Sequence, residues 1–471
     1  MPIPLVASAG VHDGSPPAMI GDLLVRPALE LAELLRTGQV HARELVEAAF
    51  VRLEEREGRI NAFCFVDAER TLAEAGEISP DDPRPFAGVP IAIKDGTPQE
   101  GLPMRIGSTL FYDHIADHDS SSVRRLREAG FVSIGRTTTP EFGILPTTEP
   151  RLTGPTRNPW DASLTPGGSS GGSAAAVCAG EASRGRISFG PDRGDDPLVT
   201  EGILTRTVAD TAVFLDVLAG YEPGDATWAP PPDRPFRESV RHSTGTAPPS
   251  GLRVGLMLVP PTQADLDPSC ARATEKAAGL PEDLGHHVET LDLDPLTEQE
   301  WEAFEDVWAV LAAEGVAAGA SILGRHPTAD DVEPLTWTLY EKGRALDALS
   351  YRRSFAWLQR VTRRVVGAAL AHDVLLTPAL AQRPVPIGTI TRMEQPDALN
   401  ALSRSNRFTP YTALWNVTGQ PAFSVPLFHG DDGLPLGVQL VGQPAGEALL
   451  LALADQLEQA LPWRQRLSPM A

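Results

Sequence analysis

The run Gly88-Val-Pro-Ile-Ala-Ile-Lys94 constrains this chain most. It is short, apolar and rich in β-branched residues, and it stops at Lys94-Asp95-Gly96. That pattern reads as a buried strand ending in polar residues, a place where chemistry often sits. Ser122 to Ala129, with Arg124, Arg125 and Arg127, reads as a charged helix, and Phe131-Val-Ser-Ile-Gly135 as the next strand. Strands alternating with helices predict an α/β fold with a largely parallel sheet. Upstream, apolar residues recur at helical spacing from Ala28 to Leu53, as at Leu45, Ala49 and Leu53, and Gly38 splits the stretch into two helices.

Further on, prolines gather between Glu222 and Gly251, including Pro230-Pro231-Pro232 and Pro248-Pro249. This is an irregular crossing over the surface. Strand Leu252 to Val259, helix Pro268 to Leu284 and strand Val288 to Leu293 follow. Trp301 to Val366 is helix-rich and holds Trp308, Trp337, Tyr340, Tyr351 and Trp357, which either wall a pocket or pack helices together, the commoner use of any one such aromatic. Strands return at Val374 to Thr377, Ala422 to Leu427 and Gly437 to Val441, before a final helix from Ala445 to Ala460. With 471 residues and 42% hydrophobic content, the chain can bury a large core. The expected organisation is one domain over 1–471: a motif-bearing half at 20–220, the proline-rich crossing at 221–251, a variable substrate-side region at 252–400, and C-terminal strands and helix at 401–471.

Forty Lys and Arg against 62 Asp and Glu give a net charge of -22, so the surface repels phosphate backbones and acidic membrane faces. Neither nucleic acid nor membrane is expected as a partner. Met1 to Leu24 holds no Lys or Arg and no signal-type apolar run, and no later run reads as long enough to span a bilayer, so a cytoplasmic location is expected. Cys64, Cys178 and Cys270 lie far apart with no CxxC pair, which argues against a disulfide framework or zinc site and for small apolar filler.

Two local signals point to chemistry. In Thr165-Pro-Gly-Gly-Ser169-Ser170-Gly-Gly-Ser173-Ala-Ala-Ala, glycines flank hydroxyls and a small-residue helix follows. Gly-rich turns let a backbone approach a substrate closely, and the adjoining proline and helix argue against a flexible linker. Lys94 closes an apolar strand, where desolvation lowers a lysine's pKa and a neutral amine can take a proton from a hydroxyl, although position alone favours a surface lysine. The histidines make no Ser-His-Asp arrangement: His286-His287 sits in a turn, and His114 and His118 in a polar loop. With no HExxH helix or carboxylate-rich loop, neither metal nor cofactor is expected.

Five ordered motifs carry a resemblance: Ala87-Gly-Val-Pro-Ile-Ala-Ile-Lys94-Asp95, Gly135-Arg-Thr-Thr-Thr-Pro-Glu141-Phe142, Gly154-Pro-Thr-Arg-Asn158-Pro159-Trp-Asp, the serine run from Thr165, and Asn416-Val-Thr-Gly-Gln-Pro421-Ala. Together they resemble the amidase signature family, over most of the chain. The resemblance implies an α/β fold whose central, mixed, twisted sheet is surrounded by helices. It also implies hydrolysis of a carboxamide C–N bond through an acyl-enzyme. Lys94 would be the base and Ser169, in a cis peptide bond, the proton relay, while Ser170, Gly171 and Thr148 would line the substrate pocket.

The chain departs from the family after the small-residue helix. There the family continues through a buried strand into an Asp-x-Gly-Gly-Ser-Ile-Arg loop, whose last serine is the nucleophile and whose amides form the oxyanion hole. Here Val177-Cys-Ala-Gly-Glu181 runs straight into Ala182-Ser-Arg-Gly-Arg-Ile-Ser-Phe-Gly190. The nucleophile is therefore unassigned and the sheet is expected to lack one central strand. Three accounts stay open: a substitute serine such as Ser170, Ser173 or Ser183 takes the role, the protein is a folded relative that binds without turnover, or the segment was lost in reading the gene. Asn158-Pro-Trp-Asp and Ser183-Arg-Gly-Arg186 are similar to amidases that open cyclic or linear aliphatic amides, nylon-oligomer hydrolases among them. The expected partner is a small-molecule amide substrate, with a homodimer as a compatible assembly. The family also includes glutaminase-type subunits of tRNA-dependent amidotransferases, a further reading of the same motifs.

Overall fold

Helical periodicity on either side of Gly38 produces two helices, α1 (Ala28–Arg36) and α2 (Ala42–Ile60), the second burying Leu45, Val46 and Ala49. The computed structural model describes residues 23–176, 179–191, 197–240, 249–262, 264–391 and 398–470. Contacts divide the chain into two units, Met1–Gly143 with Thr147–Cys178 and Ser468–Ala471, and Ile144–Pro146 with Ala179–Leu467.

The first unit is built on a three-stranded sheet of β1 (Phe63–Phe65), β2 (Pro90–Lys94) and β3 (Val132–Thr137), in the order β1-β3-β2. β2 and β3 are parallel, with Pro90 opposite Val132 and Lys94 opposite Thr137, and β1 is antiparallel to β3. Around them lie α3 (Ala68–Gly76), α4 (Ser121–Ala129) and α5 (Gly171–Ala176). Ser120 caps α4 by accepting the Val123 N–H at 3.2 Å, and Gly130 ends it in the left-handed region at φ 97°; serine and glycine are the residues that serve best at those two positions. β2 differs from its sequence reading. It ends the strand order, and Pro90, Ile91, Ala92 and Lys94 are only half-buried, Ile93 alone being fully so. An apolar run thus marks a strand without fixing how many of its sides are covered.

The second unit holds a seven-stranded mixed sheet: β4 (Ala179–Glu181), β5 (Gly202–Leu204), β6 (Arg253–Leu256), β7 (His287–Thr290), β8 (Val374–Pro378), β9 (Ala422–His429) and β10 (Pro435–Gly442), in the order β5-β4-β9-β10-β8-β6-β7. β6 runs parallel to β7 and β8, and the remaining pairs are antiparallel. β8 is buried along its whole length, as its Val-Leu-Leu-Thr-Pro sequence suits. The helices are α6 (Val208–Leu218), α7 (Pro268–Asp283), α8 (Glu298–Leu323), α9 (Pro334–Ala345), α10 (Ala348–Ala369), α11 (Asn400–Phe408), α12 (Thr412–Thr418) and α13 (Glu447–Ala460). Residues 241–248 of the proline-rich crossing lie outside the described residues.

The aromatics of 301–366 pack helices. Trp301, Phe304 and Trp308 stack along α8 with centroids 5.1 and 5.6 Å apart, and Trp308, Tyr351 and Trp357 lie against a core that includes Val307, Leu358, Val361 and Trp415. By length and composition α8 could cross a bilayer, so the expectation that no run is long enough is corrected. Here α8 packs on α9 and α10, and its Glu305 and Asp306 pair with Lys342 of α9 at 3.1 and 3.3 Å. Cys64 and Cys270 are buried free thiols, and Cys178 lies outside the described residues.

Candidate active site

Lys94 ends β2 on the edge of its sheet, and its Nζ lies 2.7 Å from the Oγ of Ser169, 75 residues away in sequence. Both side chains are half-buried, so the pair stays within reach of a solute. Opposite Lys94 in the ladder, Thr137 shares a 2.6 Å hydrogen bond with Ser173. Lysine, two serines and a threonine thus gather at the C-terminal end of two parallel strands.

The serine run is held from behind by its glycines. Gly172 donates its N–H to the Thr138 carbonyl at 3.2 Å, and a Cβ there would lie 2.5 Å from the Ala62 carbonyl oxygen and from two atoms of Thr138. Gly171 donates to Thr148 Oγ1 at 3.1 Å, and Thr148 in turn donates to the Gly167 carbonyl at 3.0 Å. The close backbone approach that glycine permits is therefore, at both positions, an approach to the protein's own threonines. Thr148 and Gly171 are buried against each other, which clamps the run, while Ser170 on the same turn is half-buried. The Gly168–Ser169 peptide bond is cis. Asn158 of the Asn-Pro-Trp-Asp motif supports the start of the run, donating from Nδ2 to the Thr165 carbonyl at 3.2 Å and accepting the Trp160 N–H at 2.9 Å.

Behind Lys94 lies a charged cluster that sequence reasoning did not single out. Asp95 and Arg136 are buried, with Arg136 Nε 4.0 Å from Asp95 Oδ1. Asp95 accepts the backbone N–H groups of Arg105 and Gly107 at 3.1 and 3.4 Å, and Arg136 donates to the Thr97 carbonyl at 2.6 Å. Burial raises the Asp95 carboxyl pKa above its ordinary range, against the pull of Arg136, and burial lowers that of the Arg136 guanidinium. Burial also pushes the neighbouring Cys64 thiol well up, so it is an inert packing group. The signal was available in the two motifs that carry Asp95 and Arg136, but only the β2–β3 register joins them.

In the second unit, the Ser183-Arg-Gly-Arg186 stretch is a buried anchor. Arg186 makes a two-pronged ion pair with Glu447 at the head of α13, at 2.9 and 3.1 Å, and Ser183 donates its N–H to the same carboxylate at 3.1 Å. Arg184 donates to the carbonyls of Pro197, Asn416 and Val417, tying the stretch to the Asn416-Val-Thr-Gly motif.

Comparison with known proteins supplies the rest. The profile of the amidase family matches residues 44–195 and 183–451. The 6-aminohexanoate-cyclic-dimer hydrolase of Paenarthrobacter ureafaciens is 34% identical, over 94% of this chain and 96% of that protein. The enzyme of the same name from Pseudomonas sp. strain NK87 gives the same figures. Among solved structures, 6-aminohexanoate cyclic dimer hydrolase complexed with substrate superposes with a TM-score of 0.87 at 32% identity, covering 95% of this chain and 99% of that one. A bacterial aryl acylamidase of the amidase signature family shares the fold, with a TM-score of 0.82 at 24% identity, covering 93% of this chain and 97% of that one.

Proposed function

The chain belongs to the amidase family of carbon–nitrogen hydrolases, and on that premise we propose that it cleaves the C–N bond of a small linear or cyclic aliphatic amide, using Lys94 and Ser169 to move the proton. The 2.7 Å contact between Lys94 Nζ and Ser169 Oγ carries this reading, because a neutral amine at that distance can accept the hydroxyl proton as the oxygen's nucleophilicity is called on. The aliphatic-amide class rests on relatives whose names specify a cyclic dimer of 6-aminohexanoate. In the family resemblance Ser169 takes the proton of a second, nucleophilic serine, on a loop between the small-residue helix and Ser183, and passes its own to Lys94. We take that loop to be absent here. Supporting this, the family match falls into two stretches that overlap at 183–195, and β2 ends its sheet with Ile91 and Ala92 half-buried.

Within this reading Thr148 and Gly171 shape the turn that presents Ser169, Ser170 is the neighbouring hydroxyl free to face a substrate, and the chain acts without metal or cofactor in a cytoplasmic setting. The test is release of a primary amine from a panel of aliphatic amides, the cyclic dimer of 6-aminohexanoate first. Turnover that Lys94→Ala reduces by about 100-fold or more supports the reading, that being the usual contribution of a positioned base. Turnover that survives Lys94→Ala overturns it.

A further inference from the structure

With no serine from a separate loop to give its proton to Ser169 and attack, the group that attacks the carbonyl has to come from the hydroxyls near Lys94. Resting on the amidase reading above, we infer that Ser169 is itself the nucleophile and carries the acyl group, as a serine–lysine dyad with Lys94. Of the other candidates, Ser173 and Ser183 are committed elsewhere, and Ser170 is the rival that the labelling below tests. Ser173 Oγ is bonded to Thr137 Oγ1 at 2.6 Å. Ser183 is buried, its Oγ accepting the Ala445 N–H at 3.3 Å and its own N–H bound to Glu447. Ser169 Oγ instead sits 2.7 Å from an amine and is half-exposed, with Gly168 beside it exposed.

The chemistry balances on these two residues and water. The neutral Lys94 amine takes the Ser169 proton as the Oγ–C bond forms and the carbonyl π electrons move onto oxygen. When the tetrahedral adduct collapses, the C–N bond breaks and the Lys94 ammonium returns the proton to the departing nitrogen, leaving an ester on Ser169 and a neutral Lys94. Water then attacks that ester, giving one proton to Lys94, which passes it back to Ser169 Oγ as the carboxylic acid leaves.

The experiment is reaction of the purified full chain with a fluorophosphonate, peptide mass mapping of the adduct, and parallel amine-release assays. The expected adduct is on Ser169, Lys94→Ala abolishes it, and Ser169→Ala lowers amide turnover by about 1000-fold or more. Ser169→Cys serves as the second variant: its thiol should be alkylated by iodoacetamide several-fold faster with Lys94 present than in the double variant with Lys94→Ala, a readout a packing role would not move. An adduct on Ser170 or Ser173 overturns the inference and leaves the amidase reading standing, whereas full turnover by a folded Ser169→Ala overturns the inference together with the part of Ser169 in that reading. No adduct and no turnover from folded protein overturns both.

Discussion

Lys94 and Ser169 show what a single residue's sequence context can reveal. A lysine at the end of an apolar strand and a serine in a glycine-rich turn were each legible as candidates, and the family resemblance paired them, since nothing in a 75-residue separation states a 2.7 Å contact. Asp95 and Arg136 stand in two of the motifs, but their pairing is not legible there, because their charges look solvated until the strand register buries both. The glycines of the serine run carried a different meaning from the one their composition suggested. They admit Thr138 and Thr148 against the turn, so Gly172→Ala is expected to destabilise the protein by about 1–3 kcal/mol through overpacking, measurable as a lowered midpoint in urea. An unchanged midpoint would mean that the turn relaxes away from Thr138.

Elements are legible in the sequence where one period dominates. α4, α7, α13, β8, β9 and β10 fall within about two residues of their expected limits, because amphipathic spacing and turn residues act locally. β2 is less buried than its apolar run suggests, since coverage of a strand depends on elements remote in sequence. Two element ends carry predictions. At the C-terminal end of α2, Glu57 accepts the Phe63 N–H at 2.8 Å, and burial raises its pKa to about 7, above the ordinary 4.5. The folded state thus holds this proton more tightly than the unfolded chain. The stability it confers is complete below about pH 4.5 and is lost as pH rises towards 7. Glu57→Gln removes that loss, so the variant's melting temperature should gain on wild type between those pH values; a constant difference would contradict the assignment. At the head of α13, burial pushes the Glu447 carboxyl up but the Arg186 bonds and charge more than offset it, leaving it below its ordinary range. Its contribution is present above about pH 4.5 and is lost on acidification. Glu447→Ala strands a buried guanidinium, with an expected cost of about 3–5 kcal/mol at neutral pH by denaturant titration.

At the scale of the molecule, the α/β class follows from strand and helix alternation and the mixed sheet from the family resemblance. The largely parallel sheet expected from alternation is corrected by a seven-stranded sheet whose β5, β4, β9, β10 and β8 pair antiparallel, and the division of the described strands into one sheet of three and one of seven follows from neither. Sheet membership is decided by which strands find partners, and periodicity records only that they are strands. A net charge of -22 predicts no retardation of duplex DNA by this protein in a mobility-shift assay near 150 mM salt, and a stable shifted band would contradict it. The central claim, an amide hydrolase driven by Lys94 and Ser169, is tested most directly by amine release from the cyclic dimer of 6-aminohexanoate and simple aliphatic amides, wild type beside Lys94→Ala. The account predicts product from wild type and a loss of about 100-fold or more in the variant. Folded wild-type protein that releases no amine, or a variant as fast as wild type, would contradict it.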